Sequence, residues 1–233
     1  MVNDVKRLIT IVLLMLLSLS VTYAGDVAHF TNLGFSPDSR VFMFAQHGIT
    51  QEESNPFAEI YTVDVPRNRF ISDGVVSREY DVAISPGQDG SGALFALLPE
   101  VSPAIEDYDV SHLRQGRLIY LLVNGQEPRP QIQFRDFETS DSFTISMTQE
   151  ARGSGPEGSA AFYLDVSAEL ADGTEIEKRV GRPNYYRDGV NRYQIRQVIA
   201  GPDGNSLVIV IERITDASTG RHIRYMVETV TLR

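Results

Sequence analysis

The chain has 233 residues, no cysteine and a formal net charge of −10. A disulfide-stapled scaffold and a thiolate metal centre are thereby excluded, so stability must come from an apolar core and backbone ladders. The acidic balance also argues against nucleic acid as a partner, because a phosphate backbone is bound by clustered cations that release counterions.

Lys6 and Arg7 precede an apolar run over residues 8–17, and small or polar residues follow up to Ala24. This is the grammar of a signal peptide, and an apolar stretch of about 10–12 residues falls short of the roughly 20 that span a bilayer as a helix. Cleavage is expected after Ala24, leaving residues 25–233 as one β-rich domain with no integral membrane segment, in the periplasm or secreted. Loss of Asp4, Lys6 and Arg7 leaves 30 acidic and 19 basic side chains, a charge of −11.

Residues 30–65 read as a strand, a turn and two further strands, 41–45 and 58–63, rich in β-branched and aromatic residues. Pro37-Asp38-Ser39 makes the turn: proline presets φ, and the aspartate can accept from an N–H two residues on. A polar connection is expected over 46–56. Leu94, Leu97, Leu98, Val101, Ile105 and Tyr108 recur at spacings of three and four, which predicts one short helical region near 92–108, capped by Ser91 and kinked or split at Pro99.

The run 118–123 is apolar on both faces and predicts a central, doubly covered strand. Asn124-Gly125 should then turn a hairpin through Pro130 into the alternating residues 131–134. Residues 143–148 alternate as well, 152–158 read as an exposed loop, and 161–170 with 174–180 form a hairpin around Ala171-Asp172-Gly173. After a strand at 193–199, the turn 201–204 leads into 207–211, a polar loop at 215–220, and a last strand at 223–232. The sum is a mainly β fold of antiparallel sheets, packed as a sandwich or open barrel or arranged like a propeller.

Phe35-Ser36-Pro37-Asp38-Ser39-Arg40 leading into a strand, followed by Glu59-Ile60-Tyr61-Thr62-Val63-Asp64, resembles the repeat unit of TolB-type β-propellers. There an "SPDG" turn introduces one strand and an "IY-V-D" strand pairs with it. A second copy has Gly201-Pro202-Asp203-Gly204 for the turn and Arg224-Tyr225-Met226-Val227 for the later strand, so the resemblance falls at both ends of the mature chain. Taken whole, the chain is similar to a bacterial family of predicted secreted proteins of unknown function. That resemblance implies export and β structure, and because the family carries no established activity it supplies no catalytic residue.

No Gly-x-Ser-x-Gly elbow is present, and the histidines His29, His47, His112 and His222 do not stand at ligand spacing. No catalytic residue, metal or cofactor is therefore predicted. His47 reads as a solvated strand-end histidine or, beside Glu52 and Glu53, a base. Asp136, Glu138 and Asp141 read as a polar turn or a calcium site, and residues 87–92 as a flexible linker with a helix cap, since a phosphate cradle would want the missing lysine.

The strongest candidate for a binding surface is Arg182, Tyr185, Tyr186, Arg187, Arg192 and Tyr193. These concentrate aromatic and guanidinium groups in what reads as a loop, and such residues supply interaction hot spots and sugar-stacking faces. The expectation is an exported non-catalytic β module binding an envelope protein or glycan. The alternative is an envelope hydrolase drawing on Glu52, Glu53, Glu59 and the 136–141 acids, which needs two carboxyls about 5–10 Å apart. The oligomeric state stays open.

Overall fold

A computed structural model describes residues 26–233 except 51, 52, 86, 218 and 219; the export segment and Glu52 lie outside the described residues. The described strands are β1 (His29–Phe35), β2 (Val41–Ile49), β3 (Pro56–Asp64), β4 (Arg69–Glu79), β5 (Arg117–Leu121), β6 (Gln131–Arg135), β7 (Ser142–Arg152), β8 (Ser159–Glu169), β9 (Glu175–Asp188), β10 (Arg192–Ala200), β11 (Ser206–Ala217) and β12 (Gly220–Thr231). They form three four-stranded antiparallel sheets, in the orders β1-β2-β3-β4, β12-β11-β10-β5 and β6-β7-β8-β9. The mainly β, antiparallel expectation holds, and the sheets stay open at their edges, so no barrel closes.

The sheets stack because two of them are apolar on both faces. In β11, Leu207, Ile209 and Ile211 pack with Ile145, Phe162 and Leu164 of the third sheet. The intervening Val208 and Val210 pack with Phe42, Phe44 and Val63 of the first sheet. A strand alternates its side chains between faces, so a strand buried throughout must have a layer on either side. The same rule sends Met43 and Ala45 of β2 outward, where Leu94, Leu97 and Val101 of the helical segment cover them. The order of layers is helical segment, first sheet, middle sheet, third sheet.

The helical segment is α1 (Ser91–Leu97), a 3-10 turn (Leu98–Val101) and α2 (Ser102–Asp107), with Pro99 and Pro103 near the starts of the second and third pieces. Proline fits the first turn of a helix because its missing N–H has no intrahelical acceptor there. The split at Pro99 agrees with the sequence, but Ser91 is not the cap. Gly90 takes that position at φ +73°, and a Cβ there would lie 2.5 Å from the Gly48 carbonyl oxygen. Asp89 Oδ1 accepts from the Ser91 N–H at 3.0 Å.

The turns before β2 and β11 share one bonding scheme. Ser36 N–H donates to Val41 O and Ser39 N–H to Ser36 O, as Gly201 N–H does to Ser206 O and Gly204 N–H to Gly201 O. Asp38 Oδ1 accepts from Arg40 N–H at 3.1 Å, and Asp203 Oδ1 from Asn205 N–H at 3.0 Å. Ser39 and Gly204 both have positive φ.

Five expectations are corrected. The run 118–123 is not central: β5 is an edge strand paired with β10 alone, and Leu118 is 51 % exposed. Periodicity cannot separate an apolar edge from a covered strand; in the middle sheet the strand covered on both faces is β11. Asn124-Gly125 does make a turn, with Gly125 at φ +90°, but β5 and β6 belong to different sheets, so it closes no hairpin. The polar connection begins later than residue 46, because β2 runs to Ile49 and buries Gln46 and His47. His47 is therefore no solvated strand end: its ring stacks on His29 at 5.5 Å, and burial followed by the His29 charge depresses its pKa. Finally, the 182–188 segment is part of β9 rather than a free loop, in the manner described next.

Candidate functional site

β9 pairs with β8 at Arg182↔Phe162 and again at Arg187↔Ala160. Four residues of β9 thus lie between pairs that on β8 have one residue between them, so Pro183 to Tyr186 bulge out of the ladder. Proline has no N–H to give a ladder, and a bulge re-aims the side chains beside it. Gly181 stands before the bulge at φ +91°, where a Cβ would come within 2.9 Å of Tyr163 Cα.

The bulged strand faces a cleft of about 360 Å³ at the place where edge strands of all three sheets meet. Arg182, Tyr185 and Arg187 line it from β9, Asn68, Arg69 and Phe70 from the β3–β4 connection and the start of β4, and Met226 and Glu228 from β12. Phe70 and Tyr185 are 42 % and 52 % exposed and offer aromatic faces to solvent. Phe70 is backed by Tyr61, 5.2 Å between centroids, which in turn stacks on Phe44 at 4.7 Å.

The Arg187 guanidinium is held in place. It lies 5.0 Å from the Tyr185 ring, 5.6 Å from Phe162 and 5.9 Å from Tyr193, and its Nη1 donates to the Tyr193 hydroxyl at 3.4 Å. Arg182 lies 5.8 Å from the centroid of the same Tyr185 ring. Cation–π attraction orients a guanidinium without neutralising it.

Ten arginines of the described residues are ion-paired, namely 67, 78, 117, 152, 179, 192, 196, 221, 224 and 233. Arg40, Arg69, Arg114, Arg129, Arg135, Arg182, Arg187 and Arg213 are not, among the described residues, and three of them, Arg69, Arg182 and Arg187, line this cleft. In a chain with so large an excess of acid, a cleft whose described lining holds three arginines and one acid is a local reversal of charge.

Glu228, 6 % exposed, is the one acid of the lining among the described residues. Its carboxylate accepts from Asn68 Nδ2, and Asn68 Oδ1 accepts from the Thr229 N–H at 2.7 Å. Burial pushes the Glu228 pKa up, and the hydrogen bond from Asn68 and the charges of Arg187 and Arg182 only partly oppose it. A raised folded-state pKa means that the native chain keeps this proton to higher pH than the unfolded chain. Its contribution is full below the ordinary carboxylate pKa and is lost as pH rises through the raised value. Glu228→Gln should accordingly raise the melting temperature at pH 7 and leave it nearly unchanged at pH 4, as read by thermal unfolding at both values. A loss of stability at pH 7 would mean that the cleft arginines already neutralise this acid.

The other three sequence candidates stand apart. Tyr186 shares a hydrogen bond with Glu150 and carries the Arg152 guanidinium 3.5 Å from its ring. Arg192 pairs with Asp216 at 2.5 Å. Tyr193 is buried and donates its hydroxyl proton to Ala160 O at 3.0 Å, so it supports Arg187 from behind. Arg69, Phe70, Asn68 and Glu228 were not legible as site residues, although Arg67-Asn68-Arg69-Phe70 has the same guanidinium and aromatic character as the β9 cluster.

The described acids among those proposed for hydrolysis, Glu53, Glu59, Asp136, Glu138 and Asp141, are each engaged elsewhere. Asp136 and Glu138 both pair with Arg117, the latter at 2.7 Å, and Asp141 Oδ1 accepts from the Ala171 N–H at 2.8 Å. Burial acts to raise the Asp136 pKa, but the Arg117 hydrogen bond, the Glu138 N–H and the Arg117 charge outweigh it and hold the carboxyl low. Glu59 accepts from Gln46 Nε2 and from the Tyr61 hydroxyl, each at 2.5 Å, and Glu53 accepts from Asn55. Among the described residues no group of three or more His, Cys, Asp or Glu side chains could hold a metal ion.

Fold and cleft together define an all-β protein of three stacked antiparallel sheets with a charge-reversed groove where their edges meet. Residues 43–231 match the model of a family described as predicted secreted protein (DUF2259), and the chain belongs to that family. No curated protein matches it. No helix among the described residues is long and apolar enough to cross a membrane.

Proposed function

We propose that the chain is an exported, non-catalytic β module that binds a cell-envelope glycan in the cleft between β4, β9 and β12. Residues 1–24 are the discarded export signal on this reading, and residues 25–233 act as one domain. The shared turn before β2 and β11 supports treating the two hairpins as TolB-like units without asking for a closed propeller.

The observation that carries the proposal is the convergence of Arg69, Arg182 and Arg187, none within ion-pair distance of a carboxylate among the described residues, on a cleft that also exposes Phe70 and Tyr185. Aromatic faces stack on the C–H face of a pyranose, while guanidinium donors bond its oxygens; few polar groups placed on a concave site are what fix orientation. A glycan is favoured over a protein partner because the aromatic rings and donors surround a cavity, whereas protein hot spots are ringed by well-packed contacts that exclude water. Hydrolysis by paired carboxylates is disfavoured because Glu228 is the only acid lining this cleft among the described residues.

Calorimetric titration of the mature chain with short envelope-type oligosaccharides, followed by chromatography of the recovered sugar, tests this reading. Saturable binding with the sugar recovered intact is expected. Absence of binding to every oligosaccharide, or recovery of shortened products, would overturn it.

A further inference from the structure

A second cavity of about 570 Å³ adjoins the first, and the two share Arg69 and Phe70 in their walls. Its far side is made by the turn before β2 and by the end of the helical segment, through Asp38, Arg40 and Tyr108, with Asp64 and Arg67 from the β3–β4 connection. Both volumes fall in the range of about 300–1,000 Å³ usual for ligand sites. We infer that these cavities are two subsites of one groove, and that its ligand is an extended glycan carrying repeated acidic groups; this rests on the glycan reading of the β9 cleft.

The charges along the groove carry the inference. Arg187 and Arg182 lie at one end, Arg69 in the shared wall, and Arg40 at the other end, and none of the four is ion-paired among the described residues. A guanidinium presents a planar fork of donors that matches a carboxylate or a phosphate, so a row of unpaired forks is suited to a row of anions. Exposed aromatic rings accompany them along the same path: Tyr185, Phe70 and Tyr108. A neutral sugar would leave these guanidiniums desolvated and without a counter-charge, which a charged ligand avoids.

Single-stranded nucleic acid is the other polyanion that stacks on aromatic rings. The groove also holds Asp38, Asp64 and the buried Glu228, which can only accept hydrogen bonds when ionised. A sugar chain offers hydroxyl donors to such acceptors all along its length between its acidic groups. Single-stranded DNA has none on its backbone and can donate only from its base edges, which would then be drawn away from stacking. The acidic glycan is therefore the better match. Its anions could be carboxylates, as in a polyuronate, or phosphates, as in a polyol-phosphate polymer, and the guanidinium chemistry is common to both.

Linking two subsites turns the second binding event into an intramolecular one, so affinity must rise steeply once a ligand is long enough to reach both. The test is calorimetric titration of the mature chain with galacturonate oligomers of two and six residues, a neutral hexasaccharide, a glycerol-phosphate oligomer and a six-nucleotide oligo-dT. The six-residue uronate is expected to bind at least about tenfold more tightly than the dimer, and to bind more tightly than the neutral sugar and the oligo-dT. Whichever of the uronate and the glycerol phosphate binds more tightly identifies the anion. Arg40→Glu, at an exposed side chain with no ion pair, should bring the ratio of hexamer to dimer affinity down toward one.

Equal affinity for dimer and hexamer, or a ratio unchanged by Arg40→Glu, would overturn the two-subsite inference while leaving glycan binding standing. Tighter binding of the neutral hexasaccharide or of oligo-dT would overturn the choice of an acidic glycan. No binding of any oligosaccharide would remove the underlying reading as well.

Discussion

Truncating either of two neighbouring residues, Val208 or Ile209, is expected to destabilise the fold strongly, although their side chains point in opposite directions. Both are fully buried; Val208 packs into the core shared with the first sheet and Ile209 into the core shared with the third. Ile209→Ala should cost about 2–5 kcal/mol through lost transfer energy and the cavity left behind, and Val208→Ala about 2 kcal/mol. For a chain of this size the isoleucine change corresponds to a fall of roughly 5–15 °C in melting temperature. In a two-layer sandwich one of two successive strand residues would face solvent, and its truncation would cost little. Denaturant unfolding of the two single variants therefore tests the middle-sheet position of β11: a near-neutral result at either residue contradicts it.

The second large effect is on binding. Arg187→Ala should weaken association with an acidic oligosaccharide by about thirty- to a hundredfold, the scale of a hot-spot arginine. Arg187→Lys should recover little of this, because an ammonium cannot reproduce a planar fork set between the Tyr185, Phe162 and Tyr193 rings. Arg152→Ala is the matching control: that guanidinium lies over Tyr186 and pairs with Glu150, and it lines no part of the cleft. Equal loss of affinity for Arg152→Ala and Arg187→Ala would point to a non-specific effect of charge rather than to the cleft.

Much of the fold was legible because strand alternation is a local property. Ile132 and Phe134, or Leu207 through Ile211, declare their faces by spacing alone, and Pro37-Asp38 and Pro202-Asp203 declare turns through a carboxylate that accepts from the N–H two residues on, just before a strand begins. Which strands pair is not local. The apolar run at Leu118 to Leu121 and the turn at Asn124-Gly125 look like half of a hairpin, yet β5 finds its partner in β10, some eighty residues later. The loss of that partner choice is also why the edge position of β5 could not be read.

Half of the candidate site was legible for a similar reason. Arg182, Tyr185 and Arg187 stand out by composition, and Pro183 breaks the ladder as a loop-forming residue should. That Arg69 and Phe70 would face them across more than a hundred residues depends on how the first and third sheets flank β12. Tyr186 was drawn in by proximity in sequence, but in the bulged strand it is held by Glu150 and Arg152 instead. Asp136 and Glu138 invited a catalytic or metal reading that Arg117, distant in sequence, answers by pairing with both.

The most direct measurement is nuclear magnetic resonance of the isotopically labelled mature chain titrated with a six-residue galacturonate. The side-chain Nε–Hε signals of Arg69, Arg182 and Arg187 and the backbone amides of Phe70 and Tyr185 are expected to shift together and saturate, with the oligomer unchanged in length. Shifts confined to the surroundings of Asp136, Glu138 or Glu59, or progressive shortening of the sugar, would contradict a non-catalytic binding cleft at the junction of the three sheets.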